Sequence, residues 1–266
     1  MVLERINFQN KKGHILQGIT QYIEKETLLP AVILLHDLNS HSQHELIINL
    51  SNFLVAQGLL VLRFDFHGHG SSEGTLQEFN ITQQMDDLNC AIDYLKTLDI
   101  IDSNKIGIYG HGMGADAAII AIADDEKTNI ACMILHAPRA DLNDHINSRF
   151  LDIELEEMKQ KGFIKHGIHG RIDRTFFDNL KKHAPLDEIQ KIKIPLLFIH
   201  GTNDFAIPVV NSKSLFLKAI EPKRLELVEG ADHEFRNVEH REYFFEVCSQ
   251  WFNKWLKGSA MYSYKY

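Results

Sequence analysis

Three absences narrow the reading of this chain first. It has only three cysteines among 266 residues, Cys90, Cys132 and Cys248, an odd and scattered set. That excludes a disulfide framework and predicts buried free thiols in a reducing compartment. It has no basic excess, because 28 Lys and Arg stand against 36 Asp and Glu for a net charge of −8. A chain of that sign makes a poor partner for nucleic acid or an anionic membrane surface. No apolar run approaches the ~18 residues of a spanning helix, and the start, Met1-Val-Leu-Glu-Arg5, has no signal-peptide apolar region. These features predict a cytoplasmic protein with no membrane or nucleic-acid partner.

The fourth absence is chemical. Residues 110–114 read Gly110-His111-Gly112-Met113-Gly114. The segment Lys105-Ile-Gly-Ile-Tyr109 before it suits a short buried strand. Ala115 to Ala123 after it is rich in Ala and Ile and suits a helix packed on a sheet. A nucleophile elbow has the pattern G-x-S-x-G on such a strand-to-helix turn. Here the frame is present and the central serine is not. The same letters fit a dinucleotide fingerprint through Gly110, Gly112 and Ala115. That motif belongs in the first βα unit, with an acidic residue about 20 positions on. The next strand signal, Ile130 to Leu135, ends instead in His136, which argues against that reading.

The other parts of a hydrolase follow in order. Pro195 to Ile199 reads as a strand and leads to His200-Gly-Thr-Asn-Asp204. Arg224 to Val228 reads as another and leads to Ala231-Asp-His233. An acid after one late strand and a histidine before the closing helix match the order nucleophile, acid, base. Asp204 would hold the tautomer of His233 and stabilise its imidazolium. Ala31 to Leu35 reads as a strand followed by His36-Asp37-Leu38. The oxyanion hole would then use the backbone N–H groups of Leu38 and Met113, which need no serine hydroxyl. Gly112 itself suits the positive φ that an elbow requires, and leaves room for a water beside His233. Asp37 reads as loop structure.

On these segments, together with Arg63-Phe-Asp-Phe-His-Gly-His-Gly-Ser-Ser-Glu-Gly74, the chain resembles the α/β-hydrolases of the serine-aminopeptidase-like group. Within that group it is most similar to bacterial cinnamoyl and feruloyl esterases and related carboxylesterases. The resemblance implies an α/β fold, a mostly parallel sheet flanked by helices, with a core of residues 1–136 and 191–266. It also implies a cap formed by residues 137–190, acting on a small-molecule ester. Two positions depart from the pattern: Gly112 replaces the nucleophilic serine, and Asp37 stands where a glycine is usual.

The hydrophobic fraction of 44% supports a sizeable core, and no Pro/Gly/Ser-rich linker divides the chain. An opening hairpin is predicted from Arg5–Asn10 and His14–Tyr22, and a helix over His44–Gln57. Ile81, Met85, Leu88, Ile92 and Leu95 recur with helical spacing. Glu242–Lys257 reads as the closing helix. Within the cap, Phe150–Lys161 and Thr175–Lys182 read as helices and Ile164–Ile172 as a small hairpin. Phe150, Phe163, Phe176 and Phe177 are pocket-lining candidates, or simply cap core. His36 and His111 are candidates for substrate contact. His67/His69 and His166/His169 lack the ligand spacing of a zinc site, so neither metal nor cofactor is expected.

Three functions remain open on sequence: a carboxylesterase lineage without its nucleophile, a small-ligand-binding protein, or a hydrolase or lyase using the His233–Asp204 pair as general base without a covalent intermediate. A homodimer is compatible with all three.

Overall fold

The computed structural model describes residues 1–124, 129–143, 152–166 and 170–258. Among these residues, ten strands form two sheets. The large sheet has the order β1(Val2–Gln9), β2(Ile15–Tyr22), β4(Leu60–Phe64), β3(Leu29–Leu35), β5(Ile101–His111), β6(Ile130–His136), β9(Leu196–Gly201), β10(Lys223–Val228). β1 and β2 pair antiparallel as the predicted hairpin, and β2 joins β4 antiparallel. All remaining pairs of that sheet are parallel. This is the α/β-hydrolase architecture.

The apolar runs of the central strands fill both faces, as strands covered on both sides must. In β3, Ile33 and Leu35 point to one cluster and Val32 and Leu34 to the other. The first cluster is covered by α2(Ile81–Lys96) and α3(Met113–Asp124), through Leu88, Ile92, Ala118 and Ile119 among others. The second is covered by α1(Glu45–Ala56) and by α8(Val238–Lys257), whose Phe244, Val247 and Trp251 are buried while Trp255 is partly so. Asn237 starts α8 earlier than the apolar pattern predicts. Its side chain accepts from the N–H groups of Glu239 and His240, a cap placed ahead of the first apolar turn. Cys132 and Cys248 are buried free thiols; Cys90, on α2, is only half-buried and packs against the first cluster.

The segment between β6 and β9 contains α4(Asp152–Lys161), the antiparallel pair β7(Phe163–His166) and β8(Gly170–Asp173), and α5(Arg174–Leu180). Phe150, His169 and Gly167 lie outside the described residues. Ile164, Ile172, Phe176 and Leu180 from this segment form a third apolar cluster with Leu38, Phe79 and Met113. It therefore packs on the two loops that the sequence assigns to the oxyanion hole. Two short helices, α6(Pro185–Glu188) and α7(Val210–Lys218), flank the far end of the sheet. No helix of the described residues is long and apolar enough to cross a membrane.

Candidate active site

Parallel pairing of β3 with β5 sets Leu35 opposite Gly110. The loops after these strands, residues 36–38 and 111–113, therefore face each other. Gly112 has φ +53°, the left-handed region in which glycine carries little strain. Its N–H donates to the His136 carbonyl at 2.9 Å, and its carbonyl accepts from Ala115 and Asp116 to open α3. Gly110 and Gly114 allow a close approach, since a Cβ would lie 2.6 Å from Ala115 or 2.7 Å from the His36 carbonyl oxygen. The glycines thus serve a tight strand–turn–helix, not a phosphate cradle.

The space beside Gly112 is filled. A Cβ on residue 112 would lie 2.2 Å from Asp37 Oδ1 and 2.5 Å from its Cγ. The Asp37 carboxylate therefore stands in the volume of the missing side chain, where the sequence suggested a water. Asp37 Oδ1 accepts the Met113 N–H at 2.7 Å. The oxyanion donor expected from Met113 thus already holds an anion. Asp37 Oδ2 lies 3.6 Å from His233 Nε2. The residue read as loop structure is part of the site.

Asp37 is fixed from several directions. His36 is buried and neutral: its Nε2 accepts the Phe66 N–H at 3.1 Å, so its Nδ1–H donates to the Asp37 carbonyl at 2.8 Å. Burial, and then the nearby His69, lower the His36 pKa to about 3. His36 thus sets the loop rather than presenting a free nitrogen to a ligand. His69 Nε2 donates to the next carbonyl, that of Leu38, at 2.7 Å. Leu38 itself is buried in the third apolar cluster. Burial raises the Asp37 carboxyl, but the bond to His233 and the charge of Arg139 outweigh it and hold the group well below the usual range. Arg139 is buried, and pairs with the buried Asp116 at 2.7 Å.

Across the site, His233 Nδ1 donates to Asp204 Oδ2 at 2.7 Å. Asp204 Oδ1 accepts the N–H groups of Ala206 and Ile207, both at 2.8 Å. His200 Nε2 lies 3.1 Å from Asp204 Oδ2. Burial works against ionisation of Asp204, yet the bonds from His200 and His233 hold it far below its ordinary value. For His233, burial lowers the pKa, but the carboxylates of Asp204 and Asp37 on opposite edges raise it to about 9. His233 is therefore an imidazolium at neutral pH. His111 stacks on His136 at 4.2 Å and lies against His233, tilted, at 4.5 Å. Burial and the His233 charge push the His111 pKa down to about 3, and its Nε2–H donates to the His233 carbonyl at 3.2 Å. Ala137 and Phe235, each adjacent to a site strand or loop, are the non-glycine residues with positive φ among those described. Backbone strain of this kind gathers at functional sites.

A family model, that of the prolyl oligopeptidase family, matches residues 49–259. The chain belongs to the prolyl oligopeptidase family. Est1E from Butyrivibrio proteoclasticus, solved with ferulic acid bound, matches with a TM-score of 0.85 at 19% identity, over 95% of this chain and 99% of that one. The esterase domain of a Rhodothermus marinus protein matches with a TM-score of 0.74 at 21% identity, over 96% and 100%. A 31.7 kDa protein of the traX-finO intergenic region of Escherichia coli is 22% identical over 265 positions, 85% of this chain and 91% of that one. At these identities the likeness establishes the shared α/β-hydrolase fold.

Within this family member the site thus brings together Gly112, Met113, Asp204, His233 and His111, and adds Asp37. Of the aromatic candidates, the described ones, Phe163, Phe176 and Phe177, are not brought to them as free faces. Phe176 packs on Phe79 at 5.9 Å and edge-on to Phe177 at 5.4 Å, and both are buried in the third cluster. Phe163 lies under the Arg171 guanidinium at 5.0 Å. Among the described residues, ligand atoms of His111, His233 and Glu234 lie within 4.8 Å of one another, a set that a divalent cation could share. His67 and His69 are each taken up by loop contacts, His67 by His14 at 3.0 Å.

Proposed function

We propose that this chain is a carboxylic-ester-hydrolase-type protein in which acyl-enzyme chemistry is closed. Its site takes small aryl or short-chain acyl ligands under a cap formed by residues 137–190, and it is inactive or nearly so on esters. One observation carries this reading: the Asp37 carboxylate occupies the volume of the residue-112 side chain and the Met113 N–H together. An ester could not place its carbonyl oxygen on that donor without displacing a buried, hydrogen-bonded anion. The likeness to Est1E, which is described with ferulic acid, supports an aryl acid as the ligand class. The charge state of His233 weighs against water activation by the His233–Asp204 pair, because an imidazolium has no lone pair for a proton.

Four proteins test it on p-nitrophenyl acetate, p-nitrophenyl butyrate and methyl ferulate: the chain as it is, Gly112→Ser, Asp37→Gly, and both changes together. Gly112→Ser alone stays silent, because its Cβ meets Asp37 Oδ1 at 2.2 Å. The double variant regains a burst and turnover at least ~10³-fold above the unchanged chain, since a serine nucleophile is worth several orders of magnitude to a triad. A burst from the unchanged chain, or a folded double variant that remains silent, overturns the reading.

A further inference from the structure

Several polar atoms at the end of β5 and on the loop after β10 are buried, yet the hydrogen bonds of the site leave them over. His233 commits Nδ1 to Asp204 at 2.7 Å. Its Nε2 is buried and makes no hydrogen bond among the described residues, with Asp37 Oδ2 facing it across 3.6 Å. Glu234 Oε2 is likewise buried without a partner, and so is the His44 Nδ1 that faces it across 3.7 Å. His111 gives its Nε2–H to the His233 carbonyl at 3.2 Å, so its lone pair is on Nδ1. The His111 ring is buried between His136 and His233, with centroids 4.2 and 4.5 Å away. One ligand atom from each of His111, His233 and Glu234 lies within 4.8 Å of the other two. Buried polar atoms of this kind call for a partner, and an ion is one that completes several of them at once.

We propose that His111, His233 and Glu234 bind a divalent transition-metal ion of the zinc class, with Asp204 orienting His233 from behind. Two imidazoles and one carboxylate are a donor set for zinc and its neighbours, whereas magnesium and calcium take oxygen ligands. Zinc bonds of about 2.0–2.2 Å at tetrahedral angles put ligand atoms about 3.3–3.6 Å apart. The set closes to that spacing with side-chain shifts of about 1 Å. Three protein ligands leave the fourth tetrahedral position to water. The site needs no ester substrate and stands whether or not Asp37 closes the acyl route.

The surroundings supply what such a site needs beyond its ligands. A histidine that binds a metal through one nitrogen gives the other N–H to a carboxylate or carbonyl, which fixes its tautomer and its direction. Asp204 does this for His233, and Asp204 is itself fixed by the N–H groups of Ala206 and Ile207. The His233 carbonyl does it for His111. The backbone of Glu234 is anchored by the Asp232 side chain, which accepts its N–H at 3.1 Å. His44 stands beside Glu234 as an outer partner for the carboxylate. The charges also suit a cation: Asp37 and Asp204 flank His233, at 3.6 and 2.7 Å. Asp37 is not counted among the ligands, because its Oδ1 is held by the Met113 N–H. The cation takes the place of the proton on His233 Nε2, so binding releases that proton.

The experiment titrates the full chain, stripped with EDTA and freed of the chelator, with zinc chloride. Calorimetry reads affinity and stoichiometry, and NMR of the histidine ring nitrogens reads which side chains respond. One zinc per chain is expected, with the ring signals of His111 and His233 moving together. Glu234→Gln, which keeps the shape of the side chain, should weaken binding at least ~10-fold, and Asp204→Asn by a similar factor. His41→Ala, at an exposed histidine on the neighbouring loop, should leave it unchanged. The NMR readout on the unchanged chain needs no variant to fold. Absence of saturable zinc binding overturns the proposal and leaves the unpaired atoms to water. So does zinc that moves only exposed rings such as His41, or an affinity that Glu234→Gln does not alter. Calcium or magnesium binding at these residues as tightly as zinc overturns the assigned class of ion.

Discussion

The two sides of the site have been treated differently. On the β9/β10 side, Asp204 and His233 keep the geometry of an acid–base pair: a 2.7 Å bond, two N–H groups on the second carboxylate oxygen, and a buried histidine behind. On the β3/β5 side, a glycine stands at the elbow and an aspartate fills its space from the neighbouring loop. The first side is what a serine nucleophile would need; the second has no serine. The difference teaches that the pair faces a carboxylate, Asp37, where a serine would stand. His233 is an imidazolium held between two carboxylates, and each side of the site is electrostatically complete only with the other.

The largest effect that can break this comparison is reversal of the altered side. Gly112→Ser with Asp37→Gly restores the acyl-enzyme route on the β3/β5 side without touching the other, with the gain of ~10³-fold or more given above. Either change alone leaves the sides mismatched. If Gly112→Ser alone sufficed, Asp37 would be a mobile bystander and the pairing of the two departures would be accidental.

A second test removes the charge that supports the altered side from behind. Arg139→Ala leaves Asp116 buried without its partner and withdraws a positive charge from Asp37. Breaking a buried pair from one side costs about 3–5 kcal/mol. Chemical denaturation should show that loss, and Asp116→Leu combined with Arg139→Met should recover most of it. The His233–Asp204 bond should survive, seen as a persistent low-field proton by NMR. Loss of that proton in a folded Arg139→Ala protein would show that the two sides share more support than Asp37 alone.

The third test titrates the group between them. Asp204 and Asp37 flank His233, with His111, His136 and Glu234 around it, and its pKa is raised from 6.5 to about 9. A group raised on folding contributes stability that is full below its unfolded value and is lost as pH rises through the folded one. Stability should therefore hold from about pH 6.5 downward as far as His233 is concerned, and decline on the order of 3 kcal/mol as pH rises from about 6.5 to 9. Asp37→Asn removes one flanking charge and should move both the NMR titration of His233 and the decline to lower pH. An unchanged titration in Asp37→Asn would mean that Asp204 alone sets it.

The same contrast governs what could be read from sequence. The strands, the Asp204 and His233 loops and the closing helix were legible, because each is carried by a local signal: an apolar run, a turn, a periodic face. Asp37 was not, because its role depends on the register between β3 and β5, which places two loops about 75 positions apart face to face. Alone, Gly for Ser and Asp for Gly each read as a loss or a loop change. Read as a pair they keep the side-chain volume and move it from one loop to the other, which is the signal that could have found it. Phe176 and Phe177 show the reverse case. Aromatic residues in a covering segment suit pocket and core equally, and only packing against Phe79 and Leu38 separates the two.

The smallest effect isolates that steric exchange from backbone strain. Gly112 and Gly162 both have positive φ, +53° and +79°, so a Cβ at either carries the left-handed penalty of about 1 kcal/mol or somewhat more. They differ in surroundings: nothing among the described residues lies within 4 Å of a Cβ at Gly162, whereas at Gly112 it meets Asp37 Oδ1 at 2.2 Å. Gly162→Ala should thus show the strain alone, and Gly112→Ala should exceed it by about 1–3 kcal/mol through overpacking of a buried carboxylate. Repeating Gly112→Ala in an Asp37→Gly background closes the cycle. The excess should vanish there, leaving only the strain seen at Gly162. An excess that persists would place the obstruction in the elbow itself, and Asp37 would no longer account for the absence of a side chain at residue 112.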